Sequence, residues 1–411
     1  MNKADSRRLL EIFISAGYIP ADDKNTADVI VYNTCSVRGH AEDKAMSHLG
    51  RLKFLKERSP GTVICTAGCM AQRMKEEIRE RLPHIDLVVG PSSIFRVPEM
   101  VRENLSGVYP DTPDTVKEFS EYIDDINLEK EEYTGYVPIM KGCGNFCSYC
   151  IVPYVRGREH YRSKEEVLKE CRALASRGQR EIMLLGQAVN AHPQFKDILK
   201  GVSSLKGVER VRFVTSYPGK MDREIVDIVS GTPVLCDYFH IPVQSGSESV
   251  LKRMNRKYTV EDFLDIAFYI REKVPDAAIT TDFIVGFPGE TRDDFKRTLE
   301  MVEKVRFDQS FTFKYSPRPL TSASKMDDDV NEDEKKRRLA ELNRVCSRAG
   351  LERNRRLIGR KVRVFASEAR SGRTGSYKIV HWEGRGAHPG EAVTVKVNQA
   401  LPHSLKGLRE D

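Results

Sequence analysis

Three cysteines, Cys143, Cys147 and Cys150, stand in the run Lys141-Gly142-Cys143-Gly144-Asn145-Phe146-Cys147-Ser148-Tyr149-Cys150, directly after a hydrophobic stretch of strand character. Thiolates are the soft ligands of iron–sulfur clusters, and three of them account for three irons of a four-iron cluster. No fourth cysteine lies in the run, so one iron is left open to a small molecule. An open iron implies chemistry rather than electron storage alone. The Cys-x3-Cys-x2-Cys spacing also departs from zinc patterns, because no second Cys or His pair follows at finger or ribbon distance. The nine histidines form no ligand spacing.

Two further cysteines close short strand-like runs. Cys35 follows Val29-Ile30-Val31-Tyr32, and Cys69 follows Thr62-Val63-Ile64-Cys65-Thr66. In a parallel sheet the carboxyl ends of successive strands share one edge, where such folds place ligands. A second metal cluster at Cys35 and Cys69 is therefore expected. Cys65, Cys171, Cys236 and Cys346 are solitary within helical or strand patterns and read as core or neutral positions.

The elements that must position these thiols follow from periodicity. A helical face over 4–17, a strand at 29–32, a helix over 41–57, a strand at 62–66, a helix near 73–81 and a strand at 85–89 alternate, which predicts a doubly wound parallel sheet in a domain spanning 1–106. That sheet opens on a helix where a strand is expected to come first. Residues 107–133 are rich in Pro, Asp, Glu and Ser without periodicity and are expected to form a linker. A second βα series fills 134–350, with strands at 136–140, 181–185, 210–214, 235–243, 278–285 and 308–315. Six βα units predict an open, partial (β/α)6 barrel with its working groups at the carboxyl ends of the strands. A charged helix over 332–356 leads to a β-rich tail, 351–411, with strands at 361–365, 376–380 and 392–397.

Charge singles out that tail. It carries thirteen Lys or Arg against six acids, a surplus of seven that equals the formal charge of all 411 residues. A compact basic module beside a nearly neutral body is the footprint of a polyanion binder, or else a solvated surface. The cysteine count is odd, no secretory segment opens the chain and no apolar run could span a bilayer. A cytoplasmic enzyme of two or three domains with reduced thiols, and no membrane partner, is expected.

The cysteine loop resembles that of radical S-adenosylmethionine enzymes, and the resemblance extends through Gly142–Tyr154, Arg156-Gly157-Arg158-Glu159, Glu181–Gln187 with Val189-Asn190, Pro242–Ser247, Thr281–Glu290 and Tyr315–Pro319. Over essentially its full length the chain is similar to the radical S-adenosylmethionine methylthiotransferases, in particular the branch acting on N6-isopentenyladenosine beside the tRNA anticodon. What the resemblance implies is a central radical barrel and, at the C-terminus, a small RNA-binding β-barrel of the TRAM type. It implies a [4Fe-4S] cluster on Cys143, Cys147 and Cys150 that binds S-adenosylmethionine at its open iron, and a second, auxiliary [4Fe-4S] cluster with Cys35 and Cys69 among its ligands.

In such enzymes one S-adenosylmethionine gives a methyl group to sulfur, and another yields a radical that removes hydrogen from C2 of the adenine. An aromatic C–H at that position resists acid–base chemistry, which is why a radical is used. The resemblance also suggests Gly186 and Gln187 near the amino group of S-adenosylmethionine, and Arg158 on its carboxylate or in a structural ion pair. Ser216, Gln244 and Ser245 would bond ribose or substrate. Phe146 would shield the cluster, and the Gly286-Phe287-Pro288-Gly289 turn would cover the adenine or be only a turn. The partners implied are a tRNA anticodon stem-loop and an electron donor such as flavodoxin or ferredoxin, acting on a monomer.

The family's third auxiliary cysteine lies just before a Gln-Met-Asn stretch, and this chain starts at the corresponding Met-Asn. That ligand and the first strand are expected upstream of Met1, unless the chain is a damaged copy. Two related activities remain as alternatives: the enzyme acting on threonylcarbamoyl-adenosine in tRNA, and the one acting on an aspartate of a ribosomal protein, which the Ser-Gly-Ser after Gln244 argues against. A non-catalytic RNA-binding remnant is the alternative from another class.

Overall fold

The computed structural model describes residues 1–36, 39–103, 106–109 and 133–411. Its first part runs α1 (Asn2–Ser15), β1 (Val29–Thr34), α2 (Gly39–Arg51), α3 (Lys53–Arg58), β2 (Val63–Gly68), α4 (Cys69–Arg81), β3 (Leu87–Val89), α5 (Val97–Arg102) and β4 (Gly107–Tyr109). The four strands are parallel and lie in chain order, β1 at one edge. Side chains alternate across β2 as the pleat requires. Ile64 meets Leu49, Met70 and Ile78 of α2 and α4, whereas Cys65 and Ala67 meet Leu9 of α1 and Val97 and Met100 of α5. Both faces are thus covered by helices, as a parallel sheet demands. The linker expected from 107 begins later, because Gly107–Tyr109 pair with β3 as a fourth strand; the rest of that segment, 110–132, lies outside the described residues.

The second part runs β5 (Thr134–Pro138), β6 (Met140–Lys141), α6 (Val152–Arg156), β7 (His160–Tyr161), α7 (Lys164–Ser176), β8 (Glu181–Leu185), α8 (Phe195–Ser203), β9 (Arg210–Phe213), α9 (Arg223–Ser230), β10 (Tyr238–His240), α10 (Glu248–Arg253), α11 (Val260–Lys273), β11 (Ala278–Val285), α12 (Arg292–Val305), β12 (Gln309–Lys314) and α13 (Glu332–Arg355). Strands β5, β8 and β9 form one parallel sheet and β10, β11 and β12 another. A single bridge, Val211 to Leu235, joins them into an open six-stranded barrel. Capping boxes at Ser163 and Glu166, Thr259 and Asp262, and Thr291 and Asp294 start α7, α11 and α12, each satisfying backbone N–H groups that a helix start leaves open. The outer core between strands and helices holds Val137, Ile182, Val211, Phe239, Phe283 and Phe307.

The tail closes into a barrel of β13 (Lys361–Glu368), β14 (Ser371–Thr374), β15 (Ile379–Glu383), β16 (Ala392–Ala400) and β17 (Ser404–Arg409), in the order β13-β14-β15-β17-β16. Its core is Val364, Val380, Trp382, Val393, Val395 and Leu405. Two strands absent from the periodicity, β14 and β17, carry Gly372 and Gly407, where an added Cβ would fall 2.2 Å from the carbonyl oxygens of Phe365 and Lys396. Small barrels bring strands that close, and glycine answers the crowding while erasing the apolar alternation that marks a strand. Among the described residues no helix is long and apolar enough to cross a membrane.

Candidate active site

The cysteine loop leaves the carboxyl end of β5 and is held at every turn. Gly142 sits at φ +78, and a Cβ there would lie 2.0 Å from the Arg158 carbonyl oxygen, so glycine alone lets the loop cross the returning 157–159 segment. The Cys143 amide donates to the Gly157 carbonyl at 3.1 Å and the Cys150 amide to the Cys147 carbonyl at 2.9 Å. Ser148 is clamped from three sides. Its amide donates to Met254, its hydroxyl to the Arg253 carbonyl at 2.8 Å, and its carbonyl accepts from Ala323 at 2.7 Å.

The three thiols sit together in a half-dry site. Cys147 is buried and the other two are partly so. Burial pushes the Cys150 thiol up to about 12, with the neighbouring Cys147 adding to the effect, and burial raises Cys143 as well. Such thiols ionise side by side only if positive charge stabilises the thiolates, which iron does. Asn145 donates to Cys143 Sγ at 3.4 Å and Arg256 Nη1 to Cys147 Sγ at 3.3 Å. Among the described residues no group of three His, Cys, Asp or Glu could hold one metal ion. A cluster does not need such convergence, since each thiolate takes a different iron.

No local sequence signal marks Arg256 and Asn255, which lie among basic residues in the run Lys252-Arg253-Met254-Asn255-Arg256-Lys257. Helix α10 ends in a Schellman turn, with the Arg256 amide donating to the Leu251 carbonyl and the Asn255 amide to that of Lys252. Asn255 holds the left-handed conformation this turn needs, φ 55, which asparagine tolerates better than most side chains. Its carboxamide donates to the Asn145 and Phe146 carbonyls, at 3.3 and 2.9 Å. Asn255→Gly is therefore expected to stay within about 0.5 kcal/mol of the parent and Asn255→Ala to lose about 1–2 kcal/mol. Both variants are expected to surrender iron faster to a chelator. Equal iron retention in all three proteins would show that the tether does nothing.

The strand ends facing the loop carry the other candidates. Gln187 Oε1, past β8, and Ser216 Oγ, past β9, are buried and have no hydrogen-bond partner among the described residues. Buried polar atoms are normally paired, so these two fit a bound polar molecule. Gln244 is buried and left-handed at φ 73, and the half-buried Thr215 is left-handed at φ 66; such strain in non-glycine residues collects at functional sites. Gly186 has a packing reason, since a Cβ would lie 2.5 Å from Met140 Cγ. Ser245 turns toward α12, its hydroxyl 3.4 Å from that of Thr298 and accepting from the Ser247 amide. Arg158 is exposed, its guanidinium 5.5 Å from the Phe146 ring centre. Phe287 is core, fully buried against Tyr315 with ring centres 5.1 Å apart.

Cys35 and Cys69 stand just beyond paired residues Thr34 and Gly68 of β1 and β2. Gly68 is left-handed at φ +100, with a Cβ position 2.4 Å from the Thr34 carbonyl oxygen. Cys69 is buried against Ile151 and Val155 of the helix that follows the cysteine loop. Burial raises its thiol, and the Arg156 guanidinium works the other way. Arg156 Nε donates to Cys69 Sγ at 3.0 Å while Nη2 pairs with Asp5 at 2.6 Å. Of the two arginines in the Arg156-Gly157-Arg158 stretch, the first is therefore the one at a thiol.

The chain is similar to known proteins in both sequence and fold. Residues 137–302 match the radical SAM superfamily and residues 1–90 the uncharacterized protein family UPF0004. The tRNA-2-methylthio-N(6)-dimethylallyladenosine synthase of Desulfotalea psychrophila is 40% identical over 428 residues, covering 99% of this chain and 96% of that one. The enzyme of the same name from Clostridium tetani is 40% identical over 425 residues, covering 99% and 93%. In structure, the radical S-adenosylmethionine methyltransferase TsrM from Kitasatospora setae, solved with cobalamin and a [4Fe-4S] cluster, superposes with a TM-score of 0.58 over 77% of this chain and 73% of its own, at 14% identity. That likeness concerns the fold alone.

Proposed function

From the premise that this chain belongs to the family of the tRNA-2-methylthio-N(6)-dimethylallyladenosine synthases, which are radical S-adenosylmethionine enzymes, we propose that it places a methylthio group on C2 of N6-isopentenyladenosine next to the tRNA anticodon. The observation that carries the proposal is the clamped loop of Cys143, Cys147 and Cys150 past the end of β5, with two orphaned buried oxygens, Gln187 Oε1 and Ser216 Oγ, past the ends of the neighbouring parallel strands β8 and β9.

A four-iron cluster with S-adenosylmethionine, when bound, supplies the 5′-deoxyadenosyl radical that abstracts hydrogen from the adenine. The three cysteines hold that cluster. Gln187 and Ser216 orient the bound S-adenosylmethionine, with Gly186 closing the strand end and Gln244 and Ser245 shaping the rim. Arg158 stands at the solvent side, over Phe146, where it can meet an anionic group. Cys35 and Cys69 serve a second [4Fe-4S] cluster, and Arg156 sets the Cys69 thiolate against the radical loop. The barrel 361–409 holds tRNA phosphates. The protein acts as a cytoplasmic monomer fed by flavodoxin or ferredoxin.

Reconstituted anaerobically with iron and sulfide, the full chain with S-adenosylmethionine and dithionite is expected to convert N6-isopentenyladenosine in tRNA to its 2-methylthio form, read by nucleoside mass spectrometry. Threonylcarbamoyl-adenosine is expected to stay unmodified. Formation of 5′-deoxyadenosine with no methylthio product would overturn the proposal in favour of an RNA-binding remnant that keeps the radical half. Iron near eight per chain is expected for two clusters and about four for one. tRNA affinity is expected to fall steeply with salt; a flat response between 50 and 200 mM, where phosphate binders lose about 10³-fold or more, would remove the tail from the RNA interface.

A further inference from the structure

A solvent-facing groove of about 480 Å³ lies directly behind the cysteine loop, lined by Lys252, Asn255, Arg256, Lys257 and the carboxylates of Glu248 and Asp262. Its floor is one side chain away from the cluster ligands. Arg256 spans that distance, donating to Cys147 Sγ at 3.3 Å, to the Pro242 carbonyl at 2.7 Å and to the Tyr258 hydroxyl at 2.8 Å. The ring centres of Tyr217 and Tyr258 lie 4.7 and 4.9 Å from its guanidinium carbon, so the bridge is held in one geometry. Asn255 adds a second route through the Asn145 and Phe146 carbonyls.

The groove's charges divide by what already engages them. Glu248 accepts from the Val260 amide at 2.5 Å and Asp262 from the Thr259 amide at 2.8 Å. Both carboxylates are therefore spent on open N–H groups at the start of α11. Lys252 and Lys257 are exposed, and among the described residues no ion pair is formed by either. What the groove offers a visitor is two unengaged ammonium groups in front of a rigid guanidinium that touches a cluster thiolate.

Reductive cleavage of S-adenosylmethionine consumes an electron that no side chain of this protein supplies. We propose that this groove is the docking surface for an acidic one-electron donor protein, whose carboxylates meet Lys252 and Lys257 while its reduced cofactor faces Arg256. One electron passes from donor to cluster, the donor leaves oxidised by one electron, and no bond is made or broken at the groove. The inference rests on the assignment of Cys143, Cys147 and Cys150 to a cluster. Complementary rim charges act chiefly on encounter and its salt dependence, and transient redox pairs use small interfaces.

The test pairs Lys252→Glu with Lys257→Glu in the reconstituted full chain, and a milder Lys252→Gln, Lys257→Gln pair guards against misfolding. Three readouts are needed: the dissociation constant for an acidic flavodoxin at two salt concentrations, 5′-deoxyadenosine formation with flavodoxin and its reductase against dithionite, and tRNA affinity. The reversed pair is expected to weaken flavodoxin binding about tenfold or more and the neutral pair less, with the dithionite-driven rate and tRNA affinity unchanged. Unchanged flavodoxin binding overturns the proposal. A fall in tRNA affinity with flavodoxin binding intact makes the groove part of the RNA path instead, which also overturns it. If the parent chain with dithionite cleaves no S-adenosylmethionine, the cluster assignment itself fails, an outcome separate from a failure of docking.

Discussion

Cys147→Ala is expected to strip about four irons from each reconstituted chain and to abolish 5′-deoxyadenosine formation. Of the three loop cysteines it is the buried one, and it alone among them meets Arg256. Its loss leaves two thiolates for a cluster and withdraws the negative partner from a half-buried guanidinium, whose remaining contacts are the Pro242 carbonyl, the Tyr258 hydroxyl and two rings. Both consequences act against cluster assembly. The discriminating control is a cysteine that is equally buried without a metal role. Cys171 packs among Val137, Val167 and Leu168 in the outer core, and burial holds its thiol far above the ordinary range. Cys171→Ala is expected to keep its iron and to lose about 1 kcal/mol of stability through a small cavity. Iron measured per polypeptide decides the matter: unchanged iron in Cys147→Ala would remove the loop from the cluster, whatever the activity shows.

Why the loop could be found from the chain alone, and its supports could not, is a matter of sequence distance. Cys143, Cys147 and Cys150 are neighbours, so their spacing carries the ligand geometry, and Gly142 beside them marks the tight crossing with Arg158. The Asn255 and Arg256 contacts to that loop span more than a hundred residues, and nothing local distinguishes this arginine from the other basic residues around it. Strand β8 matches the expected run because a continuous apolar stretch, Ile182 to Leu185, marks a fully covered parallel strand, and β11 matches too although Thr280, Thr281 and Asp282 interrupt its apolar residues. Strand β10 is shorter than the 235–243 run. Pro242 cannot donate to a ladder, and Gln244 takes a left-handed conformation, so an apolar run ends as a shaped rim rather than a longer strand. In the same way Phe287 reads as a stacking partner or as core until its burial is known, and the structure makes it core.

The second large effect belongs to the joint between the small barrel and the body. Asp308, buried at the start of β12, accepts from Arg271 at 2.9 Å, Arg353 at 3.3 Å and Lys378 at 2.7 Å, and its Oδ2 also accepts from the Ile279 amide at 3.0 Å. One carboxylate thus ties α11, β11 and α13 to the segment of the barrel just before β15. Burial pushes this carboxyl up, but Lys378, Arg271 and Arg353 outweigh it and hold it below the ordinary carboxylate value.

Asp308→Asn leaves three cations facing one another without their anion, and is expected to cost about 3–5 kcal/mol, the usual result of breaking a buried ionic group from one side. Lys378→Met leaves Asp308 two arginines and is expected to cost about 1–2 kcal/mol, while loosening the barrel selectively. The sole tryptophan, Trp382, lies in the barrel core, so its fluorescence in urea follows that module directly.

The pH dependence has a definite sign. A carboxyl lowered on folding adds stability that is complete above its unfolded value of about 3.9 and is lost as pH falls through the folded one. The parent is therefore expected to lose more stability than Asp308→Asn on going from pH 5 toward about pH 2. If the barrel meets the phosphates and the body holds the radical chemistry, as proposed above, tRNA binding in Lys378→Met is expected to weaken while S-adenosylmethionine cleavage without tRNA persists. A cost below about 1 kcal/mol for Asp308→Asn, within the range of an exposed pair, would mean that the joint is wet and that the barrel is free to move.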